Sequence, residues 1–304
     1  MRLLVVGAGA TGGYFGGRLA AAGRDVTFLL RPRRAAQVEQ SGLRIRSPHG
    51  DVALTPKLVT SDRIDGPWDA VLLTVKAFGL EGAMDDVAPA IGPDTMILPV
   101  LNGMRHMDAL AARFGPETVV GCACKVAARL DEDGTIVQLA SFHELVYGEM
   151  DGSTTPRMQR LHEILQGAGF NAKLTDTIAR EMWEKWVLLA TFGSIGALMR
   201  GTVGEVVAAP GGLDFINALL DEVVAAIQTV GVPPAQAFLQ AARRQLTQPG
   251  SPMTSSMYRD LQDGNPIEAD QIVGDLVARA RQAAIPTPLL AAAYANLAIY
   301  QARL

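Results

Sequence analysis

Leu3-Leu4-Val5-Val6-Gly7-Ala8-Gly9-Ala10-Thr11-Gly12-Gly13 is the stretch on which the fold turns. Four apolar residues run directly into Gly7, Gly9 and Gly12, spaced GxGxxG, and a helical pattern over residues 10–22 opens inside the motif. A strand, a glycine turn and a helix in that order make the phosphate cradle of a dinucleotide-binding unit. Gly7 permits the tight turn, Gly9 lets the backbone approach a pyrophosphate, and Gly12 lets helix pack on strand. Ala8, Ala10 and Thr11 complete a loop whose N–H groups and positive helix end face the phosphates. The competing reading is a glycine-rich connector with no ligand. Gly13, Gly16 and Gly17 speak against it, because each glycine inside a helix costs up to about 1 kcal/mol that a plain connector has no need to bear.

Working outward, apolar runs at 26–30, 70–75, 96–101 and 119–126 alternate with helical patterns, the rhythm of a parallel sheet with crossover helices. Residues 43–46 and 52–54 flank a Pro48-His49-Gly50-Asp51 turn and read as a hairpin near the sheet edge, while 136–139 and 145–148 read as further strands. From about Thr175 the period changes to near 3.6, predicting helices at 178–199, 213–229, 234–246, 255–262, 267–284 and 288–303. The expectation is an α/β N-terminal Rossmann domain with a mostly parallel sheet, residues 1–174, followed by an all-α C-terminal domain, residues 175–304.

Bulk properties narrow the partners. A chain of 304 residues with 49% hydrophobic content can bury two moderate cores. A formal charge of -4 offers no footprint for nucleic acid or an anionic membrane, so small molecules are the expected partners. The longest apolar stretches, 186–199 and 289–299, fall short of the roughly 20 residues needed to span a bilayer. The apolar start is too short for a signal peptide. Cys122 and Cys124 alternate along an apolar run, which suits reduced core thiols and a cytoplasmic protein. His49, His106, His143 and His162 show no ligand spacing, so no metal is expected.

The second strand of an NAD-binding unit should end in an acidic residue that holds the ribose 2'-hydroxyl. Here Arg31 stands there, with Arg33 or Arg34 in support. A guanidinium grips a 2'-phosphate where a carboxylate would repel it, so the cofactor predicted is NADP(H); a solvated basic turn is the alternative. Ligands of open parallel sheets bind beyond the carboxyl ends of the strands, which singles out Lys76 and Asn102. Lys76 reads equally well as a solvated strand-end lysine. Lys185 lies along an apolar stripe with Leu188, Leu189 and Phe192, which suits a proton donor; a surface ion pair with Glu181 is the bland reading. Glu268 and Ser256 taken alone read as ordinary helix-start residues.

Taken together, GAGATGG, Arg31, TVKAF with Lys76, LNGM with Asn102, AAR with Ala128, EMWEKW with Lys185, and SSMYRDLQDGNPIEAD with Ser256 and Glu268 make the whole chain resemble the ketopantoate reductase (2-dehydropantoate 2-reductase) family. The resemblance implies an NADP-dependent oxidoreductase acting on CH–OH groups, reducing a 2-oxo acid to a 2-hydroxy acid. It implies catalytic roles for Lys185 as general acid, Asn102 and Glu268. It implies cofactor contacts from Gly7, Ala8, Gly9, Ala10, Thr11, Gly12, Arg31, Lys76, Asn102, Ala128 and Glu268, and substrate contacts from Lys185, Asn102 and Ser256. A homodimer is allowed for. Where the family pattern places substrate-binding asparagines, this chain has Leu189, Gly193 and Val203, with Gly193 expected to remove bulk from the pocket. The alternatives are a reductase of a less polar 2-oxo acid on the same scaffold, a non-catalytic NADP sensor, and a β-hydroxyacid dehydrogenase.

Overall fold

In the computed structural model, which describes residues 1–304, the opening apolar run forms β1 (Leu3–Val6), buried along its length, and the glycine turn leads into α1 (Ala10–Ala21). There follow β2 (Val26–Leu29), α2 (Pro32–Ser41), β3 (Leu43–Arg46), β4 (Val52–Leu54) and β5 (Lys57–Val59). Next come β6 (Ala70–Leu73), α3 (Leu80–Val87), β7 (Met96–Pro99) and α4 (Arg105–Phe114). Then β8 (Gly121–Leu130), β9 (Thr135–Gly148), α5 (Pro156–Leu165) and β10 (Asn171–Leu174) complete the strand-bearing part. The chain divides into two compact units, Met1–Leu101 with His106–Ile178, and Asn102–Arg105 with Ala179–Leu304.

The first unit holds two sheets. One is wholly parallel, in the order β5-β2-β1-β6-β7. The other runs β10-β9-β3-β4, with β8 antiparallel on β9. Three expectations need correction here. The run at 119–126, expected in the parallel sheet, belongs to the second sheet, and only an isolated bridge from Val119 to Ile97 reaches the first. The reason is local: a tight turn with Gly134 at φ +81° closes β8 onto β9, and a short loop costs less entropy than a crossover. The fifth parallel strand is β5, only three residues long and partly exposed, which leaves no apolar run to read. The β3–β4 hairpin forms, but at the edge of the second sheet, and 136–139 and 145–148 are the two ends of the single strand β9.

Helix α1 lies between the sheets. A Cβ on Gly16 would come 2.8 Å from the Phe28 ring and 3.0 Å from Val5, on β2 and β1; one on Gly17 would come 2.7 Å from Ile45 and 2.9 Å from Leu43, on β3. Gly13 faces Ile136 of β9 in the same way. These glycines therefore let one helix approach two sheets at once, a packing requirement that explains their helix cost without a ligand.

The second unit is helical, as the period predicts: α6 (Ile178–Met199), α7 (Val203–Ala208), α8 (Gly212–Val230), α9 (Gln236–Leu246), α10 (Ser256–Gln262), α11 (Asp275–Gln282) and α12 (Pro288–Gln301). Helix α8 packs against α7, α9, α11 and α12. The Glu222 carboxylate accepts from the Leu289 and Leu290 N–H groups (3.1 and 2.7 Å), which closes the start of α12. Short α7 escapes the sequence period; it is started by a capping box between Thr202 and Glu205. The helix expected at 267–284 forms over 269–282, but its first turn is wound as a π turn, Asp270–Gly274, that continues directly into α11. No helix is long and apolar enough to cross a membrane.

Candidate active site

The glycine loop passes a physical test for a dinucleotide. Gly7 has φ +95°, a conformation L side chains rarely adopt. A Cβ on Gly12 would overlap the Thr74 hydroxyl and the Gly7 carbonyl. Gly9 differs from both: its φ is -79° and a Cβ there would meet nothing within 4 Å. Neither strain nor crowding by protein explains a glycine at this place, and the open space above it is where a pyrophosphate can reach the backbone. Gly9 also caps α1 with no side-chain hydrogen bond, so no side chain competes for the N–H groups of the first turn. Thr74, which sequence reasoning passed over, hydrogen-bonds the Val6 and Gly7 carbonyls (2.8 and 3.2 Å) and so ties β6 to the loop. Its only signal was a polar residue closing an apolar run.

Because β1, β2 and β6 run parallel and in register, Gly7, Arg31 and Lys76 follow strand ends on the same edge of the sheet. Arg31 is exposed, caps α2, and extends Nη2 to within 3.6 and 3.7 Å of where Cβ atoms would stand on Gly79 and Gly82. Arg34, named beside it as support, is otherwise engaged: it donates to the Ala8 carbonyl (3.0 Å), Gln37 Oε1 (2.6 Å) and the Gly134 carbonyl (3.2 Å). It braces the glycine loop from behind, and burial lowers its proton affinity. Arg33 is exposed, Lys76 is exposed at the start of a 3₁₀ turn, and Ala128 is half-buried on β8 beside a bulge.

In the second unit Asn102 and Glu268, 166 residues apart in sequence, are joined: Asn102 Nδ2 donates to Glu268 Oε2 at 3.1 Å. A carboxylate only accepts, so the contact fixes which end of the amide faces Glu268 and leaves the amide oxygen and one N–H for another group. Gly103, at φ +76°, has no room for a Cβ because the Gln271 carbonyl lies there. Lys185 is half-buried on α6. Its sequence neighbours are both committed: Glu184 Oε1 accepts from the Ala235 N–H (2.9 Å) and the buried Trp186 Nε1 donates to the Ile272 carbonyl (2.8 Å). Ser255 caps α10 by accepting from the Tyr258 N–H (3.0 Å), which leaves Ser256 exposed on the first turn with no capping duty. No group of histidine, cysteine, aspartate and glutamate side chains is placed to hold a metal ion.

Comparison with known proteins decides the family. The model for ketopantoate reductase PanE/ApbA matches residues 3–152, and that for its C-terminal part matches 177–301. The chain belongs to the ketopantoate reductase family. It is thus an oxidoreductase acting on CH–OH groups. It is 35% identical over 302 residues to an uncharacterized oxidoreductase, YkpB, of Bacillus subtilis, with 99% of each chain covered. It is 28% identical to a 2-dehydropantoate 2-reductase of Mesorhizobium japonicum, covering 97% of this chain and 96% of that one. Among solved structures, the 2-dehydropantoate 2-reductase of Geobacter metallireducens superposes with a TM-score of 0.88 at 27% identity, covering 98% and 99% of the two chains.

The three positions where the resemblance leads one to expect asparagines have definite surroundings. Gly193 leaves no hole: a Cβ there would overlap the terminal methyl of Met257, which is buried. The expectation that Gly193 removes bulk is corrected, because α10 supplies the bulk that α6 lacks. Val203 is fully buried at the start of α7, and Leu189 is half-buried on α6. Two apolar side chains and a glycine backed by a thioether methyl stand at the three positions.

Proposed function

We propose that this reductase uses NADPH to convert a 2-oxo acid into a 2-hydroxy acid, in the manner of a 2-dehydropantoate 2-reductase making pantoate from ketopantoate for pantothenate biosynthesis in the cytoplasm. The observation that carries the reading is the Asn102–Glu268 hydrogen bond, which unites two residues drawn from distant motifs. The glycine loop holds the pyrophosphate, with Lys76 and Ala128 beside the cofactor, and Arg31 grips the 2'-phosphate. When bound, the nicotinamide supplies a hydride to the carbonyl carbon. Lys185 holds the carbonyl oxygen and gives it a proton as that carbon is reduced, then recovers a proton from solvent. Asn102, its amide fixed by Glu268, orients the substrate, and the Ser256 hydroxyl binds its far end.

A second reading concerns which acid is reduced. With Leu189, Val203 and the Met257 methyl where amides would be, the pocket favours a 2-oxo acid with a less polar side chain than ketopantoate. A site built to hydrogen-bond a hydroxyl rejects an analogue lacking it by about 10⁴ to 10⁵, whereas an apolar pocket separates substrates by only about 10 to 200 per methylene. The experiment is NADPH oxidation against a panel of 2-oxo acids, including ketopantoate and its deoxy analogue. Turnover of any member supports the reductase, and no turnover of any would leave the chain a non-catalytic NADP binder. A preference for ketopantoate above about 100-fold would restore it as the substrate and remove the second reading.

A further inference from the structure

We infer that Trp186 is a positioning residue for the Asn102–Glu268 pair, acting through the π turn at Asp270–Gly274; the inference rests on the functional reading above. In a π turn the N–H groups reach back five residues, which widens the helix and disturbs its carbonyl ladder, and such turns recur at functional sites. Here the turn begins two residues after Glu268. The Ile272 N–H donates to the Glu268 carbonyl (3.1 Å), and the Ile272 carbonyl in turn accepts the indole N–H of Trp186 (2.8 Å). Two hydrogen bonds therefore connect Glu268 to the residue that follows Lys185.

The rest of the turn is held from other sides. Gly103 lies against the Gln271 carbonyl, and Gly274 sits where a Cβ would come 2.6 Å from the Tyr294 ring. Tyr294 itself donates to Asp270 Oδ1 at 2.8 Å. On α6, Trp186 is 0% exposed, with the Trp183 ring 5.3 Å away and the Arg279 guanidinium, anchored by Asp275 (3.0 Å), 5.8 Å over its face. The indole has no freedom to leave its partner.

Helix geometry turns this into a statement about Lys185. Successive residues project about 100° apart, so Glu184 and Trp186 bracket Lys185 on either side. Each bracket holds one backbone group of another segment, Ala235 N–H and the Ile272 carbonyl. The rotation of α6 at this turn and the place of the π turn are thus set by the same side chain. Loss of the indole N–H leaves a buried carbonyl unpaired and lets Glu268, and with it the Asn102 amide, shift against Lys185.

The test replaces Trp186 by Phe, and separately by 3-benzothienylalanine, which keeps the bicyclic ring and lacks only the N–H. Amide exchange over residues 268–274 should rise about tenfold or more while exchange in α8 stays unchanged, and kcat/KM for the best 2-oxo acid should fall about 10- to 100-fold, the scale of a small misplacement of reacting groups. Combined with Glu268→Gln, the Trp186 change should cost less than about twofold further, because it acts through Glu268. Unchanged exchange in both variants, or losses that multiply in the double variant, would overturn the inference. Should the wild-type chain reduce no 2-oxo acid at all, the functional reading fails instead, and the exchange measurement still decides whether Trp186 holds the turn.

Discussion

Gly9 and Gly12 carry the same letter for different reasons: Gly12 is forced by Thr74 and the Gly7 carbonyl, whereas at Gly9 the protein itself asks for nothing. Arg31 and Arg34 divide similarly, one exposed beside the loop after β6 and the other tied to Ala8 and Gly134. Replacing Arg31 by Ala should therefore weaken NADPH by about 10- to 150-fold, the worth of hydrogen bonds to a charged group, and leave NADH nearly untouched. Titration with both cofactors checks this, and equal losses would remove Arg31 from the 2'-phosphate. At Lys185 the expected effect is on turnover: Lys185→Ala should lower kcat by about two to four powers of ten with NADPH affinity within threefold of wild type. A variant that kept a third of wild-type turnover, with the chemical step limiting, would not have lost the proton donor.

Elements were legible where one physical cause dominated them. Buried β1 and the motif behind it, and α6 and α8 with their long apolar stripes, stand where the sequence period puts them. Strand β5 and helix α7 were not legible, since three half-exposed residues and a six-residue helix carry too little pattern. The placement of β8 and the π turn depended on pairing and tertiary contacts that no local window contains. The candidate site shares this division: Lys76 and Asn102 stood out at strand ends and Lys185 on an apolar stripe, Glu268 came only with the family resemblance, and Thr74, Met257 and Trp186 matter through what they touch. Helix α1 offers a test at this scale. Gly16→Ala gains up to about 1 kcal/mol of helix propensity but pushes a methyl into the fully buried Phe28 ring and Val5, and overpacking of that kind costs about 1–3 kcal/mol. Denaturant unfolding should show a net loss of stability, and a gain would mean the two sheets can part to admit the methyl.

At the scale of the whole molecule, the response of stability to acid follows from two sets of groups whose proton affinities folding lowers. The first is His143, held down by burial, by the stacked His49 ring 3.8 Å away, and by Arg18. Gln138 Nε2 donates to the Ala140 and Phe142 carbonyls, so its Oε1 accepts from Tyr14 and Ser47. The Tyr14 hydroxyl proton being spent on Gln138, its oxygen accepts from His143 Nδ1–H at 2.7 Å. The second set is the carboxylates, foremost Glu149, lowered first by its hydrogen bonds from Arg157 at 2.7 and 2.6 Å. Asp25, paired with Lys57, and Asp133, bonded by Thr135, are shifted the same way. The sign is common to both sets. Each group binds its proton more readily in the unfolded chain, so stability falls as pH falls through the unfolded value. For His143 the loss begins near 6.5, the ordinary imidazole value, and for Glu149 near 4.5. Melting temperature should thus hold level at pH 7 to 8, slope down below about 6.5, and drop more steeply below about 4.5 as several carboxylates act together. His143→Asn keeps an N–H for the Tyr14 oxygen and cannot titrate, so it should flatten the upper slope and leave the lower one in place. An upper slope that survives in the variant would mean that another group, rather than His143, resists protonation in the folded chain.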